Sequence, residues 1–124
     1  MPLGPTGDGY YQTRSHDLIT DEYIDISPIK AKQNSVLIID GSFLFKPDLR
    51  EALDFKIYVE ADFDVALERG SVRDKNELGG YENAKYIFSK RYLPACKMYL
   101  DQCEPIKHAD LIVINNDLEN PQIR

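Results

Sequence analysis

Cysteine is almost missing from this sequence, and so are histidine and any long apolar run. Only Cys96 and Cys103 occur, too few for a disulfide scaffold. Seven residues apart on one helix, they would stand about 10 Å from each other, beyond the roughly 7 Å that a bridge tolerates. Two free thiols in a reducing cytoplasm are the expectation. The two histidines, His16 and His108, share no zinc spacing with the cysteines. No segment approaches the roughly 18 apolar residues that cross a bilayer. Met1-Pro2-Leu3-Gly4-Pro5 has no charged n-region and no apolar h-region, so neither a membrane partner nor a signal peptide is expected. Positive charge is in deficit as well: 15 Lys and Arg stand against 21 Asp and Glu, a net charge of −6. That balance disfavours nucleic acid as a partner, since non-specific duplex binding needs a basic surface. There is no G-x-S-x-G elbow for a nucleophilic serine.

What is present reads as one folded domain. The chain has 124 residues, 43% of them hydrophobic, which sets it apart from disordered and low-complexity classes. Residues 1–34 show little periodicity. Gly4-Pro5-Thr6-Gly7-Asp8-Gly9 is a turn cluster, and Glu22 to Ile26 alternates as a short strand would. Val36-Leu37-Ile38-Ile39 is an apolar, mostly β-branched run without alternation, the pattern of a strand buried on both faces. A short helix is expected over 47–52, with Pro47 in its first turn, and a second strand over 55–59. Asp62 can cap a helix over about 63–73 whose Phe63, Ala66, Leu67 and Gly70 face the sheet. A longer helix, about 81–103, must be kinked or interrupted at Pro94. Leu111-Ile112-Val113-Ile114 is a third buried strand. Strands alternating with helices predict an α/β fold with a parallel sheet and flanking helices. Ligands in such sheets bind beyond the carboxyl ends of the strands, where Asp40-Gly41 and Asn115-Asn116 stand.

Several of these residues suit phosphate chemistry, each with a plainer reading beside it. Asp40 could hold a magnesium ion, and Gly41 lets the chain turn close to a phosphate; alone, the pair reads first as an ordinary turn. Arg69 and Arg73 are four apart on one helix and share a face, and guanidinium forks bind phosphate. Residues 68–91 hold six basic and four acidic residues; a solvated helix face is the simpler reading of them in isolation. Arg14, His16 and Asp17 could hydrogen-bond a sugar or base, or form a surface loop. His108 reads as a helix-end residue, and Tyr81, Tyr86, Tyr92 and Tyr99 as helix packing.

Taken in order, these segments resemble the uridine kinase-like family of P-loop nucleoside kinases, particularly its bacterial members. The resemblance runs through Val36 to Leu44, Pro47-Asp48-Leu49-Arg50 and Asp54 to Val59. It continues through Ala66-Leu67-Glu68-Arg69-Gly70, Val72-Arg73-Asp74 and Lys90-Arg91-Tyr92-Leu93-Pro94, then Tyr99, Pro105 and Ala109 to Asn116. It implies a P-loop kinase-like sheet and a transfer of the γ-phosphoryl of ATP or GTP, with Mg2+, to the hydroxyl of a nucleoside or similar small acceptor. It implies that Asp40 follows a Walker B-type strand and sits near the metal. By the same resemblance Arg69, Arg73 and Arg91 are lid arginines on the nucleotide phosphates, and Asn116 lies toward the adenine. Arg14, His16 and Asp17, with Thr20-Asp21, fall in the acceptor-side segment. Asp40, Arg69 and Arg73 are therefore the expected catalytic residues, the two arginines serving phosphate and not stability.

The family also opens with a strand and a G-x-x-x-x-G-K-[ST] loop, and this sequence contains no such motif. Residues 1–124 are thus expected to be a single partial kinase domain, with 1–34 as acceptor-side segment and 35–124 carrying the Walker B-type strand, lid and last strand. Its N-terminal P-loop strand is expected to be absent and the chain inactive alone. A non-catalytic α/β interaction or regulatory module derived from such a kinase is the alternative. In the family the P-loop strand lies between the strands expected here at 36–40 and 55–59, so self-association is expected at the open position.

Overall fold

The computed structural model describes residues 9–17 and 20–124. The Gly4–Gly9 turn cluster therefore lies outside the described residues, Gly9 excepted. The chain divides into two compact units, with the boundary after Asp40.

The N-terminal unit is built from two small antiparallel ladders. Strand β1 (Tyr10–Tyr11) pairs with β4 (Ile29–Lys30), and β2 (His16–Asp17) pairs with β3 (Glu22–Tyr23). The turn joining β2 and β3 is fixed by Asp17, whose carbonyl accepts from the Asp21 amide at 3.0 Å and whose carboxylate accepts from the Thr20 amide at 3.1 Å. Asp21 has φ 57°, a left-handed conformation that aspartate tolerates better than most residues.

The apolar run 36–39 corrects the expectation of a buried strand. It forms no strand, and Val36 and Ile38 are 86% and 88% exposed. A run without alternation signals burial on both faces only when strands stand on both sides of it. Among the described residues no strand pairs with this one.

The second unit, Gly41–Arg124, holds the α/β layer. Helix α1 (Pro47–Arg50) has proline in its first turn, where the missing amide costs nothing. Strand β5 (Ile57–Glu60) leads into α2 (Phe63–Arg73), with Asp62 in extended conformation at its N-cap. Helix α3 (Tyr81–Ile87) passes through a π turn (Phe88–Tyr92) into α4 (Leu93–Cys103). The interruption expected at Pro94 thus takes a specific form. The Leu93 amide bonds five residues back to Phe88, which absorbs an extra residue just before Pro94, where an α-helical amide would be lost.

A short helix α5 (Pro105–His108) precedes β6 (Leu111–Ile114), which pairs parallel to β5 with Ile57 opposite Leu111 and Glu60 opposite Ile114. Strand β7 (Gln122–Ile123) adds antiparallel to the far side of β6. The unit is therefore mixed α/β with a small parallel pair. Its core lies on one face of the sheet, where Tyr58 packs against Phe45, Tyr99 and Cys103. Ile57 and Val59 point to the other face and are half exposed.

Candidate functional site

The carboxyl ends of β5 and β6 are where an α/β sheet offers a ligand site, and helix α2 is locked onto that end. The Arg69 guanidinium donates to the carbonyl of Asn115 at 2.6 Å and to that of Asn116 at 2.8 Å. The Asn116 side chain in turn accepts from the Asp62 amide at 2.8 Å, one of the amides that a helix start leaves without an internal partner. Arg69 and Asn116, both singled out from sequence, are thus brought together, in a contact between a cation and main-chain oxygens that also fixes the start of α2.

Arg73 lies one turn further along α2, with its side chain 74% exposed, and forks onto the adjacent Asp74 at 2.6 and 2.9 Å. That bond holds the Asp74 carboxyl below its ordinary value and raises the guanidinium of Arg73. With its arginine this exposed to solvent the pair is weak, so the fork can be given up to a stronger anion. Arg91 is exposed on the π turn, and α2 packs against both α3 and that turn. Packing is close at Gly70: a Cβ there would come under 3.0 Å from three ring atoms of Phe88. The expectation that Gly70 faces the sheet is therefore corrected; its missing side chain makes room for the π turn. Tyr81, at the start of α3, donates to Glu68 of α2 at 2.6 Å, and this bond raises the phenol's pKa.

Beside the same end of β5 lies an open cavity of about 450 Å³. Ser42, Tyr58, Glu60, Asp62 and Cys96 are among the residues lining it. None of these was singled out from sequence as a site residue. Glu60 and Asp62 could have been, because they follow the apolar part of a parallel strand directly.

In the N-terminal unit, His16 Nε2 lies 3.2 Å from the Asp21 carboxylate and its ring meets Tyr23 edge-on. Asp17 holds the β2–β3 turn as described, and Arg14 is exposed. Asp40, also exposed, is the last residue of this unit. Among the described residues no three acidic, histidine or cysteine side chains gather into a metal cage. A magnesium ion carried on nucleotide phosphates needs only one or two carboxylates from the protein, and Asp40 can offer one. No helix among the described residues is long and apolar enough to cross a membrane.

Comparison with known proteins adds the lineage. Uridine kinase of Clostridium botulinum (strain Kyoto / Type A2) is 36% identical over 87 residues, covering 68% of this chain and 41% of that protein. Uridine kinase of Clostridium perfringens (strain 13 / Type A) is 37% identical over 87 residues, covering 68% and 40%. Uridine kinase of Lactobacillus helveticus (strain DPC 4571) is 35% identical over 112 residues, covering 88% and 47%. The chain spans less than half the length of these curated relatives. No solved structure matches it. The sequence profile of one family matches residues 8–118, and on that match the chain belongs to the Phosphoribulokinase / Uridine kinase family.

Proposed function

We propose that the chain supplies the lid and acceptor-side surfaces of a nucleoside kinase. The reaction is in-line transfer of the γ-phosphoryl of ATP or GTP to the hydroxyl of a nucleoside or similar small acceptor. The observation that carries this reading is the placement of α2 by Arg69 at the carboxyl end of the parallel pair, in a chain of this family. Arg73 and Arg91 are the phosphate-binding arginines in this proposal, both exposed and on elements packed together. Arg69 sets the helix that carries Arg73, and Asn116 stands at the adenine side. Asp40 meets the magnesium ion that accompanies the nucleotide, which supplies charge neutralisation at the transferring phosphoryl. Arg14, His16 and Asp17 bind the acceptor.

The chain holds no G-x-x-x-x-G-K-[ST] segment, so it brings neither the amide cradle nor the lysine that hold phosphates in such kinases. Positioning provides most of the rate in phosphoryl transfer. The chain by itself is therefore expected to bind MgATP weakly and to turn over no nucleoside. The test is an NMR titration of the full chain with MgATP, run beside an ADP-release assay with uridine. Shifts centred on Arg73 and Arg91 without turnover are expected. Shifts elsewhere, or no shift at millimolar nucleotide, would overturn the assignment. The Arg69 fork, spent on main-chain carbonyls, favours a second reading as a non-catalytic module derived from such a kinase, and that reading predicts the absence of any nucleotide shift.

A further inference from the structure

Helices α2 and α3 pack together, and the residues they bury are small. The buried positions of α2 are Gly70 and Ser71, and that of α3 is Ala84. Large side chains interlock as ridges and grooves and so fix a crossing angle; small ones bring the axes close and leave the angle free. Two contacts then set it. One is the Phe88 ring seated against Gly70. The other is the hydrogen bond from the Tyr81 hydroxyl to Glu68 at 2.6 Å. Tyr81 stands seven residues before Phe88, about 10 Å along a helix, and Glu68 stands two before Gly70. Lys85, one turn on from Tyr81, braces the phenol. Its ammonium donates to the hydroxyl at 3.4 Å and lies 5.5 Å from the ring centre. A cation, a hydroxyl and a carboxylate are thus linked in series, each donor meeting an acceptor.

The two exposed arginines leave from the other side of that crossing. Arg73 follows Gly70 by three residues, and Arg91 follows Phe88 by three. A change of angle at the Gly70–Phe88 contact therefore changes the distance between them, and the Tyr81–Glu68 bond holds the opposite arms of the same crossing. We propose that Tyr81 is a positioning residue that, through Glu68, keeps Arg73 and Arg91 at a separation which one polyphosphate chain bridges. This inference rests on the reading of both arginines as phosphate-binding. A ligand held at two points binds more tightly than at either alone, but only where the geometry lets both engage. Tyr81 itself meets no phosphate. Exchanged against water at an exposed carboxylate, its bond adds little to global stability, so its loss shows in the bridging and not in the melt.

NMR titrations of the full chain with inorganic tripolyphosphate and with orthophosphate test the proposal, read at Arg73 and Arg91. The unaltered chain should prefer tripolyphosphate by more than about tenfold. Tyr81→Phe keeps the ring and every charge. It should lose most of that preference, with orthophosphate affinity and thermal melt unchanged. Glu68→Gln keeps an acceptor for the hydroxyl and should retain the preference. Should Tyr81→Phe melt early, Glu68→Met removes the acceptor instead and is compared with Glu68→Gln, which carries the same change of charge. Full preference in Tyr81→Phe, beside lost preference in Arg73→Ala and Arg91→Ala, overturns the positioning role and leaves the phosphate-binding arginines standing. So does a preference lost equally in Glu68→Gln and Glu68→Met. An unaltered chain in which tripolyphosphate shifts neither arginine overturns that reading and this inference together.

Discussion

The backbone amide of Phe45 donates to the Tyr99 hydroxyl at 3.0 Å, joining two residues that are 54 positions apart and both buried. The bond ties the segment after Gly41 to helix α4. Rings close around it: Phe43 meets Tyr99 edge-on at 5.2 Å, and Phe45 meets Tyr58 at 6.1 Å. Tyr99→Phe keeps the ring and strands the amide. A buried donor left without a partner costs about 1–3 kcal/mol, so the urea midpoint should fall with little change in slope. A midpoint equal to that of the unaltered chain would mean that water reaches the Phe45 amide.

Gly70→Ala sets helix propensity against sterics. Alanine favours a helix interior by about 0.5–1 kcal/mol over glycine. Its Cβ, however, would press on the Phe88 ring, which is itself held edge-on by Tyr92 at 4.7 Å. Overpacking a filled site costs about 1–3 kcal/mol, so destabilisation should win. Combining the change with Phe88→Leu should recover part of the loss, because the two residues share one space. Additive losses in the double variant would place the strain elsewhere.

What the sequence discloses and what it hides follow from range. Helix α2 and strand β6 are legible because their signals are local: Asp62 before an amphipathic stretch, and four apolar residues in a row. The run 36–39 carries the same local signal as β6 and ends exposed, because apolarity states a need for neighbours and not their presence. The two-residue ladders β1–β4 and β2–β3, and strand β7, are too short for any periodicity to show. Pro94 announces a break but not the bond five residues back that absorbs it. Spacing places Arg69 and Arg73 on one helix face. It does not show that the Arg69 fork closes on carbonyls 46 and 47 residues away.

Stability should fall at both ends of the pH scale for separate reasons. Asp110 accepts from the Lys56 amide at 2.7 Å and faces its ammonium at 3.2 Å; the amide bond, then the ammonium, holds its carboxyl below the ordinary value. A depressed folded value gives stability that is complete above the unfolded value of about 3.9 and lost as pH falls through the folded one. At the other end, burial raises the phenols of Tyr58 and Tyr99. Their contribution is complete below about 10 and is lost as pH rises through the raised values. Thermal melts against pH should show Asp110→Asn flattening the acid limb alone and Tyr99→Phe flattening the alkaline limb alone. An acid limb unchanged in Asp110→Asn would mean that other carboxyls govern it.

Arg69 and Arg73 should separate when each is changed to alanine. Arg69 satisfies two carbonyls at the end of β6 and, through Asn116, steadies the first turn of α2. Hydrogen bonds made by a charged group contribute about 1.5–3 kcal/mol, so Arg69→Ala should lower the melting temperature clearly. Arg73, itself largely exposed, bonds only its neighbour Asp74 among the described residues, and Arg73→Ala should leave the melt unmoved. The expectation from sequence, that both arginines serve phosphate and neither serves stability, therefore divides between them. In a full-length kinase carrying this segment, Arg73→Ala should cut turnover by more than about tenfold, since one phosphate-stabilising arginine contributes orders of magnitude. Arg69→Lys keeps the charge but loses the two-pronged fork. It should melt early, as Arg69→Ala does, if the guanidinium acts by placing α2. Normal melting in Arg69→Lys together with lost turnover would instead put Arg69 on the phosphates.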